Sequence, residues 1–82
     1  MPRIKNRLKV LLAEKELREG RKIPYRVLAE ETGLSLDTIT AYMNQRVSRY
    51  DESTLIALCN YLGCEISDLI FLSDERQTER PV

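Results

Sequence analysis

No histidine occurs in this chain, and Cys59 and Cys64 are its only cysteines. Two thiols fall short of the four ligands, or three plus water, that zinc takes, so no metal site is expected. Without an imidazole, neither thiol has an activating base. The three glycines, Gly20, Gly33 and Gly63, are too scattered to form a phosphate-cradling loop. No pair of carboxylates sits in a recognisable site, so catalytic residues, cofactors and an enzymatic role are not expected. The thiols read as reduced, buried, small hydrophobes rather than as a disulfide. Long apolar runs are missing too, and nothing approaches the roughly 18 residues of a membrane span. The opening stretch MPRIKNRLKVLLAEKE mixes charges into its apolar positions and lacks a small-residue cleavage site, unlike a secretory signal. A cytoplasmic location is the expectation, with no membrane partner.

What is present is the composition of an ordinary globule. Hydrophobic residues make up 43% of 82 positions and charged residues 32%, enough for one small domain with a modest core. The formal net charge is zero, yet its distribution is uneven. Residues 1–50 carry eleven Lys/Arg against six Asp/Glu, a net of +5; residues 51–82 carry two against seven, a net of −5. Such an asymmetry gives one face a positive potential while the whole molecule stays neutral. Solvated faces with mixed ion pairs would produce the same count.

Five short helices are expected. The first runs from about Arg3 to Arg18, with Ile4, Leu8, Leu11 and Leu12 on one stripe, and stops at Gly20. A basic loop, Glu19-Gly20-Arg21-Lys22, leads to Pro24, whose missing N–H is harmless at a helix start. The stretch from Pro24 to Gln45, PYRVLAEETGLSLDTITAYMNQ, then reads as two helices joined by a tight turn at Gly33-Leu34-Ser35. Val27, Leu28 and Ala29 form the apolar patch of its first half, and small Ala29 permits close approach of the second. Gly33 stands where the chain turns sharply and φ > 0 is often needed. Ser35 is a good N-cap for a helix over about Leu36 to Gln45, with Ile39, Tyr42 and Met43 at helical spacing. This is the sequence form of a helix-turn-helix. After a polar loop, Arg46 to Tyr50, Asp51 caps a fourth helix with Leu55, Leu58, Cys59 and Leu62 on its stripe, ended by Gly63. A fifth, roughly Glu65 to Leu72, offers Ile66, Leu69 and Ile70 to the core. The expectation is therefore an all-α domain over residues 1–72, with a polar tail over 73–82.

Two segments in register, LAEETGLSLDTITAYMN and RYDESTLIALCNYLGCEISDLI, resemble the Cro/repressor-type (lambda-repressor-like) helix-turn-helix family of small DNA-binding regulators. The likeness covers about residues 4–72 and points to its branch of short bacterial and phage regulators. Tyr25 stands where that family often has a phosphate-contacting Gln, and Leu36 and Asp37 stand where Arg, Gln or Ser is frequent. The loop before the second helix is several residues longer than usual.

The resemblance implies double-stranded DNA as partner, with the third helix in the major groove and the second across the backbone. Ile39 and Tyr42 facing the core would leave Leu36, Asp37, Thr40, Ala41 and Asn44 as base-contact candidates. Phosphate-contact candidates are Tyr25 and Arg26, Ser35 and Thr38, and Arg46 and Arg49, with Arg21 and Lys22 second. For each basic residue, a solvated surface charge is the plain alternative. Phe71 and Leu72 are dimer-interface candidates, Phe71 having closure of the core as its other use. The leading function is a sequence-specific transcriptional regulator acting as a repressor. The alternatives are an antitoxin-like autorepressor with a toxin partner, and a protein-interaction module of the same fold that ignores DNA.

Overall fold

The computed structural model describes residues 3–73. Along the chain these form β1 (Arg3–Asn6), α1 (Leu8–Glu19), α2 (Tyr25–Thr32), α3 (Leu36–Met43), α4 (Glu52–Leu62), α5 (Ile66–Leu69) and β2 (Ile70–Ser73). Residues 74–82, the greater part of the expected tail, lie outside the described residues, and Ser73 closes β2.

Each helix boundary has a local cause. α1, α2 and α4 end where Gly20, Gly33 and Gly63 adopt left-handed φ of 65°, 78° and 69°, which glycine takes without a Cβ penalty. The Asp51 carboxylate accepts from the Thr54 N–H at 3.0 Å and starts α4. α5 has only four residues; the Glu65 N–H donates to Asp68 Oδ2 at 3.2 Å across its first turn.

Helices of this length do not persist alone, so packing holds them. Leu8 and Leu12 of α1, Leu28 and Ala29 of α2, Ile39, Tyr42 and Met43 of α3, Leu58 and Leu62 of α4 and Leu69 of α5 meet in one core. Ile23, in the loop before α2, is equally buried, and its N–H donates to Glu16 Oε2 at 2.7 Å, tying that loop to α1. Burying each Leu or Ile contributes about 1.5–3 kcal/mol before chain entropy is counted. Cys59 and Cys64 are free and half-buried against this core, not fully buried. Burial first, then the nearby Cys59 thiol, pushes the Cys64 thiol up to about 11.

The all-α expectation needs correction. Among the described residues the fold is mostly helical with five helices, but β1 and β2 form an antiparallel ribbon with Arg3 opposite Ser73, Ile4 opposite Leu72, Lys5 opposite Phe71 and Asn6 opposite Ile70. The first helix does not begin at Arg3, although Ile4 fits the helical period of Leu8, Leu11 and Leu12. Asn6 stops it, because its Oδ1 accepts from the Leu8 N–H at 3.1 Å and leaves the residues before it extended. The fifth helix does not reach Leu72, because Ile70 turns to extended backbone (φ −123°, ψ 153°) and the chain pairs with β1.

As a result Ile4, expected on a buried stripe, is 45% exposed; Ile66, expected in the core, is also exposed, at the first position of α5. Phe71 lies on β2 rather than on a helix, 39% exposed, with the Arg7 guanidinium 5.4 Å from its ring centre.

Candidate nucleic-acid interface

The turn between α2 and α3 is built from four residues. Gly33 N–H and Leu34 N–H both donate to the Ala29 carbonyl, at 2.9 and 3.1 Å, closing α2 abruptly. The Thr32 hydroxyl donates to the Leu28 carbonyl at 2.7 Å, so this end leaves few orphan acceptors. Ser35 Oγ then accepts from the Thr38 N–H at 3.1 Å and lies 2.9 Å from the Thr38 hydroxyl. Only Gly33, Leu34 and Ser35 separate α2 from α3, and the two helices pack directly on each other.

α3 is sharply two-sided. Ile39, Tyr42 and Met43 are buried at 0, 2 and 5% exposure, and the Tyr42 ring meets Tyr50 edge-on at 5.5 Å. Burial first, with the Asp51 carboxylate second, raises the Tyr42 phenol to about 12, so it stays neutral. The helical period turns Asp37, Ala41 and Asn44 away from Ile39, Tyr42 and Met43, while Leu36 and Thr40 lie nearer their side. Leu36, Asp37 and Asn44 are exposed, while Thr40 and Ala41 are half-buried. An exposed Leu beside a carboxylate, a hydroxyl and an amide makes a mixed surface, able to meet thymine methyls, base amino groups and base acceptors.

Of the phosphate candidates, Tyr25, Arg26, Ser35, Arg46 and Arg49 are exposed and Thr38 is half-buried, its hydroxyl engaged with Ser35. Among the described residues, Arg26, Arg46 and Arg49 join no ion pair, whereas Arg21 does. Arg21 bonds Glu19 at 2.8 Å and Glu31 at 3.2 Å, and Tyr61 donates to the same Glu31. The Tyr61 hydroxyl first, then Arg21, holds Glu31 below the usual carboxylate range. Lys15 first, then Arg21, holds Glu19 at about 2. Arg21 is thus committed to knitting α1, α2 and α4 together. Its charge is compensated within the chain, unlike that of exposed Lys22.

Two further residues shape this surface, and the helix-turn-helix pattern announces neither. Asn6 is only 4% exposed. Its side-chain amide donates to the Tyr42 carbonyl, in the last turn of α3, at 3.1 Å. Its own backbone is matched by the Gln45 side chain: Asn6 N–H donates to Gln45 Oε1 at 3.1 Å, and Gln45 Nε2 donates to the Asn6 carbonyl at 2.8 Å. The Gln45 amide therefore pairs with Asn6 as a neighbouring strand would. An Asn two residues before the first apolar position is the one available signal, since an Asn side chain readily accepts from a backbone N–H two residues on. Gln45 had none.

Among the described residues no group of three or more His, Cys, Asp or Glu is placed to hold a metal ion, and no helix is long and apolar enough to cross a membrane. No curated protein matches the chain. A solved structure does: a candidate DNA-binding protein from Bacteroides fragilis, 32% identical, with a TM-score of 0.64 over 84% of this chain and 100% of that one. The sequence pattern of the Cro/C1-type HTH DNA-binding domain matches residues 7–75. With a turn closed at Gly33, a capped α3 and that match over most of its length, the chain belongs to the Cro/C1-type helix-turn-helix family of DNA-binding domains.

Proposed function

We propose that the protein is a sequence-specific transcriptional regulator that reads the major groove of double-stranded DNA with α3 and represses by occupying its site. The observation that supports this reading is the two-sidedness of α3, whose Ile39, Tyr42 and Met43 are buried while Leu36, Asp37 and Asn44 are exposed and Thr40 and Ala41 half-exposed. Thr40 is suited to bond several bases, Asp37 to accept from a cytosine amino group, and Leu36 and Ala41 to meet a thymine methyl. Asn44 suits an adenine edge or a phosphate. Asp37 has a second use, because a carboxylate in the first turn favours the helix dipole.

Affinity comes from phosphate contacts that release counterions. Tyr25, Arg26, Ser35, Thr38, Arg46 and Arg49 supply them, with the α2 and α3 backbone N–H groups assisting. Selection from a randomised duplex pool at low salt, with sequencing as salt is raised, tests the whole reading. An enriched sequence supports it; no retention even at low salt sinks it. Arg46→Ala is expected to weaken binding similarly on every sequence and to lower the salt slope by about one unit. An unchanged slope removes Arg46 from the contact list.

One recognition helix reads few bases, so two copies on paired half-sites about 34 Å apart are proposed. The exposed cross-strand pair Ile4 and Leu72, at 45% and 67% exposure, supports a second copy against the ribbon beside Phe71. A monomeric mass at high concentration, with and without DNA, defeats this. Exposed Ile56 and Ile66, which border an apolar groove with Tyr50, Leu55 and Cys59, favour a second reading, an antitoxin-like or purely protein-binding module. A co-purifying protein together with no salt-dependent DNA binding would favour it.

A further inference from the structure

We infer that Asn6 and Gln45 are positioning residues for DNA reading: their side-chain clasp fixes where the recognition helix ends and how the Arg46–Arg49 loop leaves it, given the role of α3 proposed above. The backbone shows what the clasp holds. Gln45 N–H donates to the Tyr42 carbonyl at 3.2 Å and Arg46 N–H to the Ala41 carbonyl at 2.9 Å, the two bonds of a Schellman ending. The residue between them must be left-handed, and Gln45 has φ 57°, the only non-glycine positive φ among the described residues. α1, α2 and α4 each use glycine at that place.

A glutamine tolerated there is doing something that glycine cannot. Its amide closes on both backbone groups of Asn6, whose own amide returns to the Tyr42 carbonyl. The Tyr42 carbonyl therefore receives one bond from its own chain end and one from β1. The Oδ1 of the same Asn6 accepts from Leu8 N–H at the start of α1. One buried side chain thus sets β1, the start of α1 and the exit of α3 in a single frame. The exit matters because Asn44, a base-contact candidate, and Arg46, a phosphate candidate, flank Gln45 directly. A shift of this corner moves both together relative to Leu36, Asp37 and Thr40. Sequence discrimination would suffer before general attraction to phosphate does, since base contacts specify and phosphate contacts tolerate small displacement.

The experiment compares wild type with Gln45→Gly on two probes: the duplex enriched by the selection above and a scrambled duplex of equal length. Glycine is at ease with φ 57°, so the turn keeps its backbone while losing the clasp. Gln45→Asn is the second variant. It tolerates the left-handed conformation and keeps the amide, but falls one methylene short of Asn6. Binding is measured at a temperature where circular dichroism shows all three proteins folded. The expected result is about a tenfold or larger loss of affinity for the selected duplex in both variants, the scale of one lost base contact. Affinity for the scrambled duplex should stay within about twofold. Equal losses on both duplexes would mean a merely structural role and overturn the inference, as would full discrimination in either variant. If wild type itself shows no preferred sequence, the regulator reading falls first and the clasp's role falls with it.

Discussion

The two ends of α3 are held in opposite ways. At its start, Ser35 caps Thr38 three residues on, and Gly33 turns the chain immediately before. At its finish, Gln45 reaches a partner 39 positions away, and Asn6 reaches back to Tyr42. The first arrangement is a property of a short peptide; the second exists only when the domain is assembled. α3 thus begins where its own sequence says and ends where the rest of the fold places it.

Removing the distant support is expected to cost most. Asn6→Leu keeps roughly the volume but leaves the Leu8 N–H without its cap and the Tyr42 carbonyl with one partner fewer. Buried groups stripped of partners cost about 1–3 kcal/mol each, so a loss of about 3 kcal/mol is expected from urea denaturation. A loss below about 1 kcal/mol would mean that the C-terminal end of α3 needs no outside help. Ser35→Ala tests the local end and should cost about 1 kcal/mol, with faster hydrogen exchange at Thr38 confined to the first turn of α3. Exchange rising equally at Tyr42 and Gln45 would erase the distinction between the ends.

The smallest expected effect compares two local caps. The Thr54 N–H first, then the Ser53 hydroxyl, holds the Asp51 carboxyl below its ordinary value of 3.8. A depressed carboxyl contributes stability that is present above the unfolded value and lost as pH falls through the folded one. The difference in urea midpoint between wild type and Asp51→Asn should therefore hold steady at neutral pH and shrink below about pH 4. The difference between wild type and Ser35→Ala should not change there, since a hydroxyl cap does not titrate. Parallel pH curves for the two pairs would contradict the origin given for the Asp51 shift.

This division also explains what was legible in the residues alone. Ser35, Asp51, Gly33 and Gly63 act on neighbours within a few positions, so the helix-turn-helix and α4 stand close to where their residues put them. Arg3 to Asn6 reads as helix because Ile4, spaced four from Leu8, satisfies a helical period and nothing nearby reveals Ile70 to Ser73 as a partner. α5 was overextended for the same reason, since a strand is an agreement between two segments and neither shows it alone. Of the candidate site, the burial of Ile39, Tyr42 and Met43 follows from the period of α3, whereas Thr40 and Ala41, expected on the open face, are half-buried. That Arg21 is neutralised by Glu19 and Glu31 while Arg46 joins no such pair among the described residues depends on tertiary placement.

The ribbon has a consequence for how the molecule is made. Its strands are residues 3–6 and 70–73, so β1 leaves a ribosome well before the strand that pairs its backbone. The helix-turn-helix is complete in the nascent chain by Met43, but the Asn6 that steadies α3 belongs to a strand still without its mate. Closing so long a loop costs chain entropy that the local turns and caps do not. Competence to bind DNA selectively would then arrive not with the motif but with synthesis of β2, some thirty residues later.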